Sequence, residues 1–87
     1  MNRETLKTEL KRLLVEALKL DDVQPEEIED GAPLFGAGLG LDSIDALELA
    51  VAIERRFKVA IPDEEVGKRA FLSIDALAAY VAEQKPP

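Results

Sequence analysis

The sequence predicts an all-α fold, a bundle of four helices in which the third is short. Apolar residues recur with the 3.6-residue period of a helix in three long segments. No segment alternates apolar and polar residues as a half-buried strand would. The 87 residues suffice for one domain with a small core. We therefore predict a single domain over residues 1–87.

The first helix is predicted to begin at position 2 or 3 and to end between positions 18 and 20. One apolar stripe runs along it, formed by Leu6, Leu10, Leu13, Leu14, Ala17 and Leu18. The charged residues off this stripe, among them Lys7 and Lys11, are expected to face water. The stripe indicates a helix that serves packing alone.

Two connecting segments precede the second helix. Residues 21–31 form an acidic linker, with one helical turn starting at Pro25 and with Val23 and Ile28 held against the core. Residues 32–41 form a loop in which three alternating glycines allow tight turns. Its expected anchors on the core are apolar: Leu34, Phe35, Leu39 and Leu41.

The second helix is predicted from Asp42 or Ser43 to about Phe57, with Asp42 as a favourable N-cap. At about 100° per residue it has two apolar stripes. The stripe expected to face the core contains Ala46, Leu49, Ala50, Ile53 and Phe57. The opposite stripe contains Ile44, Leu47 and Val51, flanked by Glu48, Glu54 and Arg55. Such a stripe is typical of a partner-binding helix, although a helix buried on both sides would give the same pattern.

The rest of the chain is predicted to hold an extended connector over residues 58–62 and two more helices. The short third helix spans Asp63 to Lys68 and is weakened by Gly67. Ser73 is the expected N-cap of the fourth helix, which ends near Gln84 before a frayed tail.

Charge is unevenly distributed along the chain. The net charge is −7, and residues 20–54 contain ten acidic side chains with no lysine or arginine. Such a block repels nucleic acid, because phosphate binding requires clustered basic residues. It favours a protein partner with a basic patch, although a solvated face would also explain it.

Several function classes are excluded by composition. The chain has no cysteine and no histidine, so it lacks a thiolate nucleophile and the commonest general base and metal ligand. The acidic linker does not have the ligand spacing of an EF-hand, and we expect no metal site. We see no secretory leader and no apolar run of membrane-spanning length, so we expect a cytoplasmic protein.

Ser43 lies where the glycine-rich loop meets the second helix, and three interpretations are open. As a catalytic nucleophile it would need a base, yet the chain has no histidine, and residues 20–54 contain no lysine. As a substrate for modification it would be accessible, and the positive end of the helix would tolerate a phosphate. It could also serve simply as a second N-cap candidate.

Residues 41–49, Leu-Asp-Ser-Ile-Asp-Ala-Leu-Glu-Leu, resemble the phosphopantetheine attachment motif of acyl carrier proteins. Residues 30–35 and 61–65 also resemble that family's loop before the motif and its run into the third helix. The resemblance implies an acyl-carrier bundle in which Ser43 holds 4′-phosphopantetheine, attached from coenzyme A by a phosphopantetheinyl transferase. Acyl groups would be carried on it as thioesters.

The resemblance also implies a monomeric carrier, not an enzyme, that meets basic faces of acyl-transferring, condensing and reducing enzymes. By match of position, the contacts would be made by Asp42, Ile44, Leu47, Glu48, Val51 and Glu54.

The chain departs from carriers of fatty-acid synthesis in two places. Those commonly have acids late in the second helix, whereas here Glu54 is followed by Arg55 and Arg56, and the loop before Ser43 is richer in glycine. It is more similar to stand-alone carriers of polyketide-like or aryl-polyene-like pathways. Two alternatives remain: an aminoacyl, peptidyl or D-alanyl carrier, and an unmodified helical adaptor that binds a partner through the second apolar stripe.

Overall fold

The computed structural model describes residues 2–35 and 40–84, with the backbone alone for Glu64. Its elements, in chain order, are α1 (Arg3–Ala17), a 3₁₀ turn (Pro25–Glu27), α2 (Ser43–Phe57), α3 (Glu64–Ala70) and α4 (Ile74–Gln84). Across these residues there is no strand, only an isolated bridge between Phe35 and Leu41. The prediction of an all-α, four-helix fold is confirmed. The expectations for Leu39, for the first two loop glycines and for the tail lie outside the described residues.

The N-terminus of each helix is fixed by a side chain that accepts a backbone N–H, which would otherwise lack a partner. Asn2 caps α1 by accepting from the Thr5 amide at 2.8 Å. Asp63 caps α3 in the same way. Ser73 caps α4, as predicted.

A single core joins the helices. α1 packs against α4 and α2, and α3 packs against α4. The predicted inward stripes supply most of the buried helical residues: Leu6, Leu10 and Leu14 of α1, Leu49, Ile53 and Phe57 of α2, and Ile74, Leu77, Ala78 and Val81 of α4. Burying each of these larger aliphatic side chains contributes about 1.5–3 kcal/mol before entropy is counted. Among the described residues, no helix reaches the length and apolarity that a bilayer crossing requires.

The third helix differs from the prediction at both ends. Asp63 is its cap, not its first residue, and the helix continues past Lys68 to Ala70. The prediction gave much weight to the low helix propensity of Gly67. Packing overrides it here, because Ala70 and the following Phe71 are almost fully buried.

The expectation that Lys7 and Lys11 face water was wrong. The Lys7 ammonium lies 3.3 Å from an Asp30 carboxylate oxygen and 2.8 Å from Asp75, and the Lys11 ammonium lies 2.6 Å from the other Asp30 oxygen. The Asp75 amide donates to the Asp30 carbonyl at 2.9 Å. α1 therefore fastens the linker and the start of α4 by charge as well as by packing.

These contacts shift two pKa values. The close Lys11 ammonium, and then Lys7, hold the pKa of Asp30 below its ordinary value. Asp75 first, and then Asp30, raise the pKa of Lys7 above its ordinary value. Both shifts favour the charged forms of Asp30 and Lys7.

Candidate functional site at the start of helix α2

The N-terminus of α2 is closed by two aspartates that satisfy each other. The Asp42 carboxylate accepts from the Asp45 amide at 3.0 Å, and the Asp45 carboxylate accepts from the Asp42 amide at 3.1 Å. This reciprocal capping box fixes the first turn, and both acids suit the positive end of the helix dipole. Asp42 is therefore the N-cap, and Ser43 is the first helical residue.

Ser43 is exposed, and the hydroxyl is not used to cap the helix. The other serine of the chain, Ser73, is partly buried and accepts from the Ala76 amide at 3.1 Å. The hydroxyls of Thr8 and Tyr80 donate to backbone carbonyls. Of the two serines, Ser43 is the one whose oxygen is available to a reagent from outside. This excludes the interpretation of Ser43 as an N-cap.

The segment before Ser43 is held on the core at two points. Leu34 and Leu41 are buried, and the Leu41 amide donates to the Leu34 carbonyl at 3.2 Å. The Leu34 amide in turn donates to the carbonyl of Leu72, in the turn before α4. Between these anchors Gly40 has a φ of 74°, a conformation that glycine adopts without a steric penalty. The position of Ser43 is thus set by the core, one residue beyond the cap.

The outer stripe of α2 lies in solvent. Ile44 is 69% exposed, Leu47 66% and Val51 42%, while Leu49 and Ile53 on the opposite side are fully buried. The helix is therefore not buried on both sides. Three neighbouring exposed aliphatic side chains on one helix face form a surface that favours contact with another protein.

The acidic residues expected on this surface are not equivalent. Asp42 is engaged in the cap, whereas Glu48 is exposed. Glu54 is also exposed, but its carboxylate accepts from the Ile61 amide at 3.2 Å and so ties α2 to the connector before α3. Neither the Glu54 contact nor the lysine cluster on Asp30 had a local sequence pattern that could have indicated it.

The surroundings of Ser43 bear on what its hydroxyl can do. The chain contains no histidine that could act as a base for Ser43. Within the described residues, no cluster of acidic side chains is arranged to hold a metal ion. A phosphodiester at the Ser43 oxygen fits this position, because an exposed hydroxyl in the first helical turn lies at the positive end of the dipole.

Comparison with known proteins identifies the family. The sequence model of the phosphopantetheine attachment site matches residues 8–81. The chain belongs to the acyl carrier protein family. It is 36% identical over 77 residues to an acyl carrier protein of Wolinella succinogenes, covering 88% of this chain and 93% of the relative. It is 33% identical over 86 residues to the acyl carrier protein AsbD of Bacillus anthracis, covering 99% and 91%.

Membership in the acyl carrier protein family identifies the prosthetic group and the function of the chain. It carries acyl groups on a phosphopantetheine arm, and such a carrier acts with a phosphopantetheinyl transferase and with partner enzymes. The structure adds which surfaces the described residues offer for these tasks.

Proposed function

We propose that Ser43 is the residue that bears 4′-phosphopantetheine. One observation at the start of α2 carries this proposal. Asp42 caps the helix, and Ser43 next to it is exposed. When attached, the arm supplies the terminal thiol that a cysteine-free chain lacks and to which acyl groups are joined as thioesters. The chain itself contributes the tether point and the positive helix end, and the chemistry is supplied by other enzymes.

The outer face of α2 is proposed to meet those enzymes. Its exposed aliphatic residues would contact apolar side chains of the partner, and its acids would attract basic patches. The contact residues proposed are Asp42, Ile44, Leu47, Glu48, Val51 and Glu54. Because Asp42 accepts from the Asp45 amide and Glu54 from the Ile61 amide, we expect Glu48 to contribute the most of the three acids.

The charges near the end of α2 bear on the biosynthetic pathway that the carrier serves. Arg55 and Arg56 are both exposed and follow the acidic block directly. This reversal of charge favours enzymes of a specialised lipid or polyketide-like pathway over those of ordinary fatty-acid synthesis. We propose further that the protein is a monomeric, non-catalytic carrier in the cytoplasm.

The attachment site is tested by mass. The unmodified protein is incubated with coenzyme A, Mg²⁺ and a broad-specificity phosphopantetheinyl transferase, and the intact mass is recorded. We expect one phosphopantetheinyl addition in the wild type and none in Ser43→Ala. Ser73→Asp is the matched control, because aspartate caps a helix as well as serine does and leaves the tether point intact.

Addition to Ser43→Ala, or no addition to the folded wild type, would remove the proposal for Ser43. The cargo is determined in a separate experiment, in which the acyl groups bound to the carrier isolated from its own cell are identified by mass. Aminoacyl groups found there would contradict the proposed lipid or polyketide-like pathway.

A further inference from the structure

The exposed stripe of α2 continues onto α1 as one wall of a groove. Leu13 and Ala17, near the end of α1, lie opposite Leu47 and Val51 of α2, and the open groove between them has a volume of about 750 Å³. Its remaining lining residues are Glu16, Glu48, Ala52, Arg55 and Arg56. The apolar surface offered to a partner therefore spans two helices, and Leu13 faces it although it belongs to the predicted core stripe.

Charge is segregated along this groove. Both Glu48 and Arg55 line the groove, Glu48 toward the Ser43 end of α2 and Arg55 two helical turns further on. Seven residues of helix separate the two charges by roughly 10 Å along the axis. Val51 lies midway between them, four residues from Arg55 and three from Glu48.

Arg55 and Arg56 differ in how they are used. Arg56 donates to the Glu9 carboxylate and so joins α2 to α1. In the part of the chain that the structure describes, Arg55 has no carboxylate within ion-pair distance. A guanidinium on the rim of an apolar groove is suited to a carboxylate from another molecule.

We propose that this two-helix groove docks a partner enzyme of bipolar charge. That enzyme presents an aliphatic side chain to Leu13, Leu47 and Val51, a basic residue toward Glu48, and a carboxylate toward Arg55. This proposal rests on the proposed function, because it assumes that partner enzymes approach the outer face of α2. It adds that α1 forms part of the surface and that Arg55 selects the partner by charge.

A second copy of this chain would offer the same charges in reverse order. The net charge of −7 opposes such self-association. A partner enzyme of bipolar charge that is not strongly acidic overall has no such penalty, and this favours the enzyme as the occupant.

The selectivity of Arg55 is tested with a bacterial β-ketoacyl synthase whose carrier-binding patch is basic. In a series of synthase variants, each lysine or arginine of that patch is replaced in turn by glutamate. Binding of wild type, Arg55→Glu and Lys68→Glu to each variant is measured by calorimetry. Lys68 is the control, because it is an exposed cation on α3 outside the groove and its replacement changes the net charge equally.

At one position of the series, wild type is expected to bind about three- to tenfold more tightly than Arg55→Glu, and Lys68→Glu to behave like wild type. Toward the original basic patch, Arg55→Glu is expected to bind more tightly than wild type. If no variant prefers wild type over Arg55→Glu, or if both charge reversals act alike, selection by Arg55 is wrong.

The α1 wall is tested by titrating ¹⁵N-labelled carrier with the same synthase. We expect amide shifts over residues 13–17 as well as over residues 44–55, and about threefold to tenfold weaker binding by Ala17→Glu and Leu13→Ala. Leu72→Ala, which shortens an exposed leucine outside the groove, is the control and should bind as wild type does. Ala17→Glu is included because it leaves the leucines of the core in place.

Shifts confined to α2, with normal binding by both groove variants, would overturn the proposal. Dimerisation of the carrier that Arg55→Glu abolishes, seen by sedimentation, would assign the groove to a second copy instead. All titrations are run with both the unmodified and the loaded protein. Failure of Ser43 to be loaded would therefore count against the proposed attachment site and still leave the groove tested.

Discussion

The same five residues, Ser-Ile-Asp-Ala-Leu, begin both α2 and α4, at 43–47 and at 73–77. In α4 the isoleucine and the leucine are fully buried, whereas in α2 they are among the most exposed apolar residues of the described chain. The serine of α4 caps its helix, while that of α2 does not, because Asp42 supplies the cap there. One pentapeptide thus builds part of the core in one place and part of the functional surface in the other.

The residues on either side of the pentapeptide account for this difference. In α2 the opposite stripe continues through Leu49, Ile53 and Phe57, which offer more apolar area to the core than Ile44 and Leu47 do. In α4 the corresponding positions hold smaller or polar residues, so that helix turns its isoleucine and leucine inward. The residue before each serine differs as well, since aspartate can cap a helix and leucine cannot. Function here depends on context more than on the local sequence.

The largest difference between the two copies of the pentapeptide is expected at their leucines, Leu47 and Leu77. Leu77→Ala is expected to reduce the free energy of unfolding by about 2–5 kcal/mol, because it leaves a cavity in the core. Leu47→Ala is expected to change it by less than about 0.5 kcal/mol, because the side chain is already in water. Urea unfolding of both variants measures the difference. A loss of similar size in Leu47→Ala would show that the outer stripe supports the fold.

The two helix starts should differ in which residue supports the cap. Ser73→Ala and Asp42→Ala are each expected to cost about 1 kcal/mol of stability, since each removes an N-cap. Ser43→Ala should stay within about 0.5 kcal/mol of wild type. Asp42→Asn, which keeps the cap without the charge, serves as the control. If Ser43→Ala proved as costly as Ser73→Ala in thermal unfolding, the assignment of the cap to Asp42 would be wrong.

The third residue of the pentapeptide also differs in its role, because Asp45 closes a cap while Asp75 belongs to the lysine cluster with Asp30. The folded pKa of Asp30 lies below its unfolded value, near 3.8. Its contribution to stability is therefore fully present above the unfolded pKa and is lost as pH falls through the folded pKa. The lysine side chains of this cluster are 16% and 19% exposed, and solvent screening is expected to keep its contribution to stability small.

We expect Asp30→Asn to lower the melting temperature slightly at pH 7 and to match wild type at the acid end of the range. Asp22→Asn, at an exposed acid of the same linker, should follow the wild-type curve throughout. Curves for Asp30→Asn and wild type that stay parallel down to strong acid would mean that the cluster does not titrate as described.

What the sequence could predict was governed by local periodicity. The bounds of α2 and α4 follow from one apolar stripe and one capping residue each, and both signals lie within a few residues. The stripe also gives the start of α1, but that helix ends at Ala17, before the predicted positions 18–20. The end of α3 could not be predicted, because Ala70 and Phe71 extend it through tertiary packing that outweighs the glycine. The cluster of Lys7, Lys11 and Asp30 joins residues about twenty positions apart, and no local pattern marks such a pairing.

The candidate site divides in the same way. That α2 has two apolar stripes, and that Asp42 is a good N-cap, could be predicted from residue spacing. To know which stripe faces solvent, one needs to know how the helices pack in the core. To know that Leu13 belongs to the outer surface, one needs the position of α1 beside α2. Arg55 and Arg56 look alike in sequence, and only the position of Glu9 separates them.

The reciprocal bonds between Asp42 and Asp45 have a consequence for turnover of the protein. They leave the hydroxyl of Ser43 outside the interactions that hold the helix, so its modification has no favourable contact to disrupt. The phosphate of the arm would lie at the positive end of the α2 dipole, so loading should not make the carrier unfold more often. Loaded carriers would then not be degraded faster than empty ones.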